Sequence, residues 1–322
     1  MNTTGLKILI IRFSSIGDIV LTTPVIRCLK QQLIGVEIHY LTKGNFKTVL
    51  ENNPYLDSLH LLDSRLSNTI KELKNEKFDY VIDLHHNLRT LIIKNKLGVK
   101  ASSFDKLNWQ KWLLVNLKVN KMPNVHIVER YLETVKFLGV CNDEQGLDYF
   151  LAKQYSLPDL LPTTHQNFVG LVIGAQHTTK RLPNSKLQEI CKNLQKPIVL
   201  LGGKEDIERG EDIVNGNNHV FNGCGKFSLD QSAFLVKMAA SIITHDTGLM
   251  HIAAAFNKPI VSIWGNTVPE FGMYPYRVDK STILEVQGLA CRPCSKIGYQ
   301  KCPKGHFKCM NDINVGEIAT FV

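Results

Sequence analysis

Short apolar runs, rich in isoleucine, leucine and valine, alternate with longer polar stretches along the whole chain. In the first half these runs occupy residues 7–12, 36–41, 58–63 and 79–84, and in the second half 168–174, 197–202, 241–245, 259–264 and 282–286. Apolar strands separated by helical stretches are typical of a parallel sheet that helices cover on both faces. The pattern therefore predicts an α/β protein.

The alternation is interrupted once, at residues 156–167, where proline, threonine and polar residues predict a linker. A chain of 322 residues has the length of about two domains at ~150 residues each. We therefore predict two Rossmann-like, doubly wound domains, residues 1–160 and 161–322. Ligands of such sheets bind outside the carboxyl ends of the strands, so the chemistry is expected in the loops that follow strands.

The composition is that of a soluble globular protein, with 44% hydrophobic and 21% charged residues, and it excludes general disorder. No apolar stretch approaches the roughly 18 residues that cross a bilayer, and no secretory signal pattern opens the chain, so we expect a cytoplasmic protein. The net charge of +9 favours an anionic partner, such as phosphate, nucleic acid or a membrane surface. Because no motif interleaves basic and aromatic residues, we expect no nucleic-acid partner.

The first strand leads into a turn of small and acidic residues, Ser14, Ser15, Gly17 and Asp18. Asp18 has two interpretations: it caps the following helix, or it is a general base that takes a proton from a hydroxyl group. The GxGxxG fingerprint is absent here, which argues against a nicotinamide enzyme.

Residues 241–256 predict a buried strand that runs into a helix of small residues. Asp246 and Thr247 are positioned to cap this helix, Gly248 allows close approach of a ligand, and His251 lies one turn further. Free amide groups at a helix N-terminus bind phosphate well. We therefore predict a phosphate site here, with an ordinary capped helix as the alternative.

Two more strand ends carry polar residues. Thr178, Thr179 and Lys180 combine hydroxyl groups with a cation, which suits a diphosphate; the alternative is a solvated basic loop. Glu205 follows Gly202 and Gly203 at the end of a predicted strand. It is a candidate to accept hydrogen bonds from a ribose or a base, and the alternative is an ordinary surface charge.

A lysine-rich segment between residues 94 and 121 holds seven lysines and a single acidic residue, Asp105. Trp109, Trp112, Leu113 and Leu117 occur beside the lysines at helical spacing. This pattern predicts a helix at an anionic membrane surface, or alternatively a helix whose apolar stripe packs on the core. His85, His86 and Arg89 follow a predicted strand and are candidates to face the acceptor.

Four of the eight cysteines crowd into one short segment, at Cys291, Cys294, Cys302 and Cys309. This spacing predicts a structural zinc site with four thiolate ligands, and His306 is a possible replacement for one of them. Disulfide bonds are the alternative. We expect no catalytic metal, because no carboxylate accompanies the sulfur atoms.

Several motifs together resemble glycosyltransferase family 9, the ADP-heptose:lipopolysaccharide heptosyltransferases. The matching residues are 12–18 with Thr23 and Pro24, then 174–175 with Lys180 and Pro183, 201–203, 246–255, 265–267, Pro269 and 275–276. Two positions depart from the family pattern, Leu182 in place of an aromatic residue and Asn266 in place of a proline.

The resemblance implies a GT-B fold, with two Rossmann-like domains facing across a cleft, and an inverting, metal-independent transfer of heptose from ADP-heptose to a lipopolysaccharide inner-core acceptor. It implies that Asp18 is the base and that Lys180 stabilises the leaving diphosphate. The expected donor-binding residues are Ser14, Ser15, Gly17, Thr178, Thr179, Glu205, Asp246, Thr247, Gly248, Leu249 and His251, and the expected acceptor-binding residues are Arg12 and Arg89. The acceptor would be a lipid-linked anionic saccharide at the inner face of the cytoplasmic membrane. The alternatives are another nucleotide-sugar donor and a non-catalytic nucleotide-sugar-binding protein.

Overall fold

The first of two parallel sheets contains five strands in the computed structural model, which describes residues 5–322. These strands are β1 Lys7–Ile11, β2 Glu37–Thr42, β3 Ser58–Leu61, β4 Tyr80–Asp83 and β5 Lys100–Ser103. Their order is β3-β2-β1-β4-β5, so the first strand lies in the centre. This order places the turn after β1 beside the ends of β2 and β4.

The second sheet contains six parallel strands within the described residues, in the order β11-β10-β9-β6-β7-β8. They are β6 Val169–Val172, β7 Ile198–Leu201, β8 Val220–Asn222, β9 Ser241–His245, β10 Ile260–Trp264 and β11 Ser281–Glu285. Residues of β6, β7, β9 and β10 are all buried, which is why these strands are continuous apolar runs. The predicted α/β class is confirmed.

Helices connect the strands. They are α1 Ile16–Val20, α2 Thr23–Gln32, α3 Leu66–Asn75, α4 Leu88–Leu97, α5 Asn108–Trp112, α6 Ile127–Leu132, α7 Leu157–Leu160, α8 Asn184–Asn193, α9 Ile207–Val214, α10 Leu229–Met238, α11 Gly248–Ala255, α12 Lys308–Asn311 and α13 Gly316–Phe321. Short 3₁₀ turns occur at Gly44–Val49, Lys136–Leu138, Thr163–His165, Thr178–Lys180, Lys204–Asp206 and Pro269–Phe271, and a π-helical turn at Leu113–Leu117 continues α5. Across residues 5–322, no helix has the length and apolar character needed to span a bilayer.

The two short edge strands β5 and β8 are absent from the sequence prediction. β5 has the sequence KASS, with little apolar character, and β8 is only three residues long. Both pair with one neighbour only. Because an edge strand is half exposed and short, it leaves a weak hydrophobic signal.

The chain forms two compact units, but they do not divide it at a single point. One unit contains residues up to 106 and residues 125–152, and the other contains 107–124 and 153–322. The predicted boundary at residue 160 lies eight residues beyond the structural one at 152. Segment 107–124 joins the second unit because Leu114 packs against Val268 and Phe271.

A buried arginine anchors α2, the helix that follows the Asp18 turn. The Arg27 guanidinium contacts Asp143 at 2.6 Å from Nε and 2.9 Å from Nη2, and it also pairs with Asp148. Nη2 donates a further hydrogen bond to the Gly146 carbonyl oxygen at 2.8 Å. Burial disfavours the charged form, but the two carboxylates outweigh it and raise the pKa of Arg27. One cation thus joins α2 to the loop that follows α6.

We predict that Arg27→Met destabilises the fold, because it leaves two largely buried carboxylates without their cation. The free energy of unfolding, measured by urea denaturation, should fall by about 3 kcal/mol. Lys136→Met is the matched control, since its ion pair with Glu133 is exposed, and its effect should stay below about 1 kcal/mol. Equal effects of the two variants would show that the Arg27 network does not stabilise the fold.

Candidate functional site

Asp18 occupies the third position of α1, one turn after the end of β1. Ser15 precedes this helix with extended backbone, and its amide and its hydroxyl both donate to Asp18 Oδ2, at 3.1 Å and 2.7 Å. This is the carboxylate half of a capping box. The capping interpretation of Asp18 is therefore confirmed. Since the carboxylate stays partly exposed beside the helix, its role as a general base stays a prediction.

Arg12 lies beneath Asp18 and is nearly buried. Nη2 is 2.5 Å from Asp18 Oδ1, while Nη1 donates to the Leu84 carbonyl oxygen at 2.6 Å and to the Tyr131 hydroxyl at 3.0 Å. Burial alone would lower the pKa of Arg12, but Asp18 together with the smaller effects of Tyr131, Tyr40 and Asp83 outweighs burial, and the pKa of Arg12 is raised. Most donors of Arg12 are thus engaged within the protein, where they orient the Asp18 carboxylate. A role of Arg12 in acceptor binding stays a prediction.

Two further titratable groups lie near Asp18. The His85 ring packs on Phe13 with centroids 4.8 Å apart. Burial, followed by the positive charges of Arg12 and Lys106, lowers the pKa of His85 to about 4, and the ring is therefore neutral at pH 7. Burial, with Arg12 adding to it, also lowers the pKa of Lys106. The sequence analysis did not single out Lys106, because only the folded chain brings it near residue 18.

The other predicted residues of the first unit have simpler surroundings. Gly17 is buried and Ser14 is half-buried, and the Ser14 carbonyl oxygen accepts from Arg12 Nε at 2.8 Å. Arg89 is exposed in the first turn of α4, outside the network around Asp18. The donor-binding roles of Ser14, Ser15 and Gly17 and the acceptor-binding role of Arg89 stay predictions.

In the second unit, an ion pair joins the ends of β6 and β9. The Lys180 ammonium is 2.5 Å from Asp246 Oδ2 and 3.3 Å from the Asp246 carbonyl oxygen. The Thr267 hydroxyl donates to the same Asp246 oxygen at 3.0 Å. Asp246 therefore holds a cation and a hydroxyl group at the carboxyl edge of the sheet, where a parallel sheet binds its ligands.

The N-terminus of α11 lies directly after this ion pair. Thr247 precedes the helix with extended backbone, and within the described residues its side chain forms no capping hydrogen bond. Gly248 and Leu249 begin the helix, and His251 is buried one turn further on. The dipole and the first amides of an eight-residue helix favour an anion at this position.

Thr178 and Thr179 contact the cysteine-rich segment of the same unit. The Thr179 hydroxyl donates to the Tyr299 carbonyl oxygen at 3.0 Å and accepts from the Tyr299 amide at 2.8 Å. Thr178 Oγ1 donates to Gln300 Oε1 at 3.1 Å. These contacts hold the turn that carries Lys180, so Thr179 supports this turn. Its predicted contact with the donor, like that of Thr178, stays a prediction.

Asp206, which the sequence analysis missed, organises the ends of β6 and β7. It is fully buried, accepts from the Gly203 amide at 3.0 Å and pairs with Arg181 at 3.2 Å. A side chain at Gly174 would place its Cβ 2.4 Å from Asp206 Oδ2, which explains a glycine there. The predicted Glu205, by contrast, is exposed at the surface.

His245 ends β9 in a neutral state. Its Nε2 accepts a hydrogen bond from the Leu182 amide at 3.0 Å, which requires an unprotonated Nε2. Burial, with Arg209, Arg181 and Lys180 adding to it, lowers the pKa of His245 to about 3. Leu182, which stands where the family motif has an aromatic residue, is buried in the core of the second unit. The position is therefore packed despite the smaller side chain.

The cysteine-rich segment lies against the ends of β10 and β11. Arg292 anchors it through the Gly265 carbonyl oxygen at 2.5 Å and Glu285 at 2.8 Å. Burial first, and then the neighbouring cysteines, raise the pKa of Cys309 to about 12. Cys291 Sγ is 3.9 Å from His306 Nε2. Across the described residues, however, no three of these sulfur atoms approach within the 4.8 Å expected for ligands of one ion, so the zinc site stays a prediction.

The predicted membrane helix is short and partly packed. α5 and the π-helical turn bury Leu114 against the second unit, while Trp109 and Trp112 remain 65% and 42% exposed. The two indole rings stack, with centroids 5.3 Å apart. Lys118 fastens this segment to the carbonyl oxygens of Cys291 and Pro293, at 3.2 Å and 2.6 Å. The alternative of a packed apolar stripe thus holds for Leu114, whereas contact of the exposed tryptophans with a membrane stays a prediction.

Comparison with known proteins identifies the family. The family model of glycosyltransferase family 9 (heptosyltransferase) matches residues 66–302. Lipopolysaccharide heptosyltransferase 1 of Campylobacter coli is 26% identical over 81% of this chain and 84% of its own. A family 9 glycosyltransferase from Veillonella parvula superposes with a TM-score of 0.72 at 24% identity, covering 89% of this chain and 87% of that one.

A second solved structure, the E. coli heptosyltransferase WaaC with ADP-2-deoxy-2-fluoro heptose, superposes with a TM-score of 0.68 at 21% identity and covers 88% of this chain and 94% of its own. The two parallel sheets described above thus have the architecture of these two solved glycosyltransferases, and the predicted fold is confirmed. The family match covers most of the chain. The chain therefore belongs to glycosyltransferase family 9 and is a glycosyltransferase with the GT-B fold.

Proposed function

We propose that this glycosyltransferase moves heptose from ADP-heptose to an inner-core sugar of lipopolysaccharide, with inversion and without a catalytic metal. The observation that carries the proposal is the Lys180–Asp246 ion pair at the start of α11. The names of the curated relatives, lipopolysaccharide heptosyltransferases, support the acceptor class. The ADP-heptose analogue bound to E. coli WaaC supports the donor.

The donor diphosphate would bind at the carboxyl edge of the second sheet. Lys180 supplies a cation, and the first backbone amides of α11, directly after Thr247, supply hydrogen-bond donors. Asp246 restrains the lysine at 2.5 Å, which reduces the entropy lost when the ammonium orders around a phosphate. Charge that develops on the leaving phosphate is then neutralised by groups of the protein itself, which is the basis for proposing transfer without a metal.

Asp18 would act on the acceptor. In the proposed step the acceptor hydroxyl oxygen bonds to the anomeric carbon of heptose from the side opposite the phosphate. The bond between that carbon and the phosphate oxygen breaks, and ADP leaves with the bonding electrons. Asp18 Oδ2 takes the hydroxyl proton. For this, the hydrogen bond that the Ser15 hydroxyl donates to Oδ2 has to break first. Arg12 keeps the carboxylate oriented through Oδ1.

We further propose that the enzyme works at the inner face of the cytoplasmic membrane. The exposed Trp109 and Trp112 provide an apolar, interface-seeking surface, and the excess of lysine between residues 94 and 121 provides attraction to anionic lipid. A lipid-linked acceptor would then be reached without being extracted from the bilayer.

We also keep structural zinc at the four cysteines as a proposal. Cys291 Sγ lies 3.9 Å from His306 Nε2, a second type of zinc ligand. Burial, followed by the charges of neighbouring cysteines, raises the pKa of Cys294 and Cys309, and a bound cation would offset that repulsion. Such an ion would hold the loop that supports Thr179 and would take no part in the transfer.

Asp18→Asn should abolish transfer and spare donor binding. Loss of a general base lowers kcat by about 10²–10⁴-fold, whereas the dissociation constant of ADP-heptose should stay within about twofold. Single-turnover transfer to a heptose-acceptor saccharide and calorimetry measure the two quantities. Asp159→Asn, an exposed carboxylate in the first turn of α7, is the control. Transfer by Asp18→Asn at nearly the normal rate would reduce Asp18 to a helix cap.

Lys180→Met should weaken binding of ADP by about 10- to 100-fold, the range for loss of a charged hydrogen bond. Calorimetry with ADP, ADP-heptose and UDP measures this effect and the donor preference together. Lys186→Met is the control, because Lys186 pairs with Glu189 on the surface of α8. Tighter binding of UDP than of ADP would overturn the donor assignment and favour a different nucleotide sugar.

The double variant Trp109→Ser/Trp112→Ser should bind anionic phosphatidylglycerol vesicles about tenfold more weakly than the unmodified chain. Ile34→Ser, which removes an apolar side chain that is 77% exposed, is the control. Since Trp264, the third tryptophan, is buried, a blue shift of the fluorescence on vesicle binding reports the other two. Equal vesicle binding by the double variant and the control would contradict the membrane proposal.

A further inference from the structure

Two histidines of neighbouring strands lie side by side in the interior of the first unit. His39 on β2 and His60 on β3 are 2% and 5% exposed. In the register of these strands Leu41 pairs with His60, so both rings project from the same face of the sheet as Leu41. Phe78 packs edge-on against the ring of His39, at 5.1 Å between centroids. The transfer proposed above uses neither histidine.

Each ring presents one nitrogen to the other and the second nitrogen to a carboxylate. His39 Nδ1 and His60 Nε2 are 2.8 Å apart. His39 Nε2 is 2.7 Å from Glu37 Oε1, and His60 Nδ1 is 2.7 Å from Glu72 Oε1. An ionised carboxylate only accepts hydrogen bonds, so both outer nitrogens carry the proton.

This assignment leaves two lone pairs facing each other. A neutral imidazole protonated at its outer nitrogen has an unprotonated inner nitrogen. Two such nitrogens at 2.8 Å repel each other unless a cation lies between them. The position therefore demands either one additional proton or a metal ion.

A third ligand favours the metal ion. Glu76 Oε2 lies 4.0 Å from His39 Nδ1, and the ligand atoms of His39, His60 and Glu76 all fall within 4.8 Å of one another. It is the one group of this kind among residues 5–322. In tetrahedral zinc sites with bonds of about 2.0–2.1 Å, ligand atoms are about 3.3 Å apart. To reach this spacing, a ring rotation has to open the histidine pair by about 0.5 Å, and Glu76 Oε2 has to approach His39 Nδ1 by about 0.7 Å.

The surroundings match those of histidine ligands in metal sites. Histidines that bind zinc donate their second ring nitrogen to a carboxylate, which fixes the tautomer and raises the basicity of the ligand nitrogen. Glu37 and Glu72 are placed to accept these hydrogen bonds. Two nitrogens and one carboxylate oxygen form a donor set that suits zinc and similar divalent ions.

One group opposes the ion. The Lys7 ammonium is 3.1 Å from Glu76 Oε2 and 2.9 Å from Glu37 Oε1, so it occupies the oxygen that the metal would use. A divalent ion has to displace this lysine or repel it. The competition predicts that removal of the Lys7 charge strengthens metal binding.

We propose that His39, His60 and Glu76 form a structural site for a divalent cation of the zinc class. The ion fastens the edge strand β3 and the end of α3 to β2. It is separate from the cysteine segment, which belongs to the other unit, and it does not depend on the proposed transferase activity.

The test titrates the metal-free full chain with Co²⁺, whose absorption distinguishes nitrogen and oxygen ligands from thiolates, and with Zn²⁺ by calorimetry. We expect one ion per chain at the histidine site, and the absorption of this ion should show no sulfur-to-cobalt charge transfer. A second ion bound by the cysteines, if present, would be recognised by that charge-transfer band. His39→Gln and His60→Gln should each weaken this ion at least 100-fold, and Glu72→Gln about 10- to 100-fold. Lys7→Met should tighten it several-fold. Circular dichroism verifies that each variant is folded.

His219→Gln is the control histidine, because its ring contacts the Cys191 carbonyl oxygen in the second unit. Replacement of Cys291, Cys294, Cys302 and Cys309 by serine should leave the ion of the first unit in place. The proposal is overturned if the nitrogen- and oxygen-ligated ion is missing, or if it persists with unchanged affinity in His60→Gln. In either case a shared proton is the cation between the two rings.

Discussion

The buried guanidinium of Arg12 is the interaction on which the first unit depends. It contacts the end of β4 through Leu84, α6 through Tyr131 and α1 through Asp18. Each contact relieves part of the cost of removing a cation from water, and together they fix the position of the Asp18 carboxylate, the base of the proposed transfer. A carboxylate on a short helix is thereby held in place by the sheet that packs beneath it.

In the second unit, acidic side chains hold the charged groups at the ends of the strands in place. Asp246 holds Lys180 and Thr267, and the buried Asp206 holds Arg181 and the amide of Gly203. In both units, charges at the carboxyl ends of parallel strands are paired inside the protein before any ligand arrives. Pairing of this kind lowers the reorganisation that a charged substrate requires on binding.

The sequence predicted those features that depend on local pattern. Buried strands such as β9 are continuous apolar runs, and the Asp18 turn and the α11 start are short motifs that follow strands. The sequence did not reveal contacts between distant segments. Lys106 approaches Asp18, and Tyr299 holds Thr179, only because the chain folds back over many residues. Periodicity carries no information about such pairs.

The excursion of residues 107–124 into the second unit has a consequence for synthesis. Lys118 bonds to the carbonyl oxygen of Pro293, 175 positions later in the chain. At roughly 5–20 residues per second, a ribosome takes on the order of 10–35 seconds to supply that partner. For most of this interval Leu114 has no core to enter, since Val268 and Phe271, against which it packs, have not yet been made either. The tryptophan-bearing segment of the nascent enzyme thus stays exposed, and available to chaperones, until the second unit has been made.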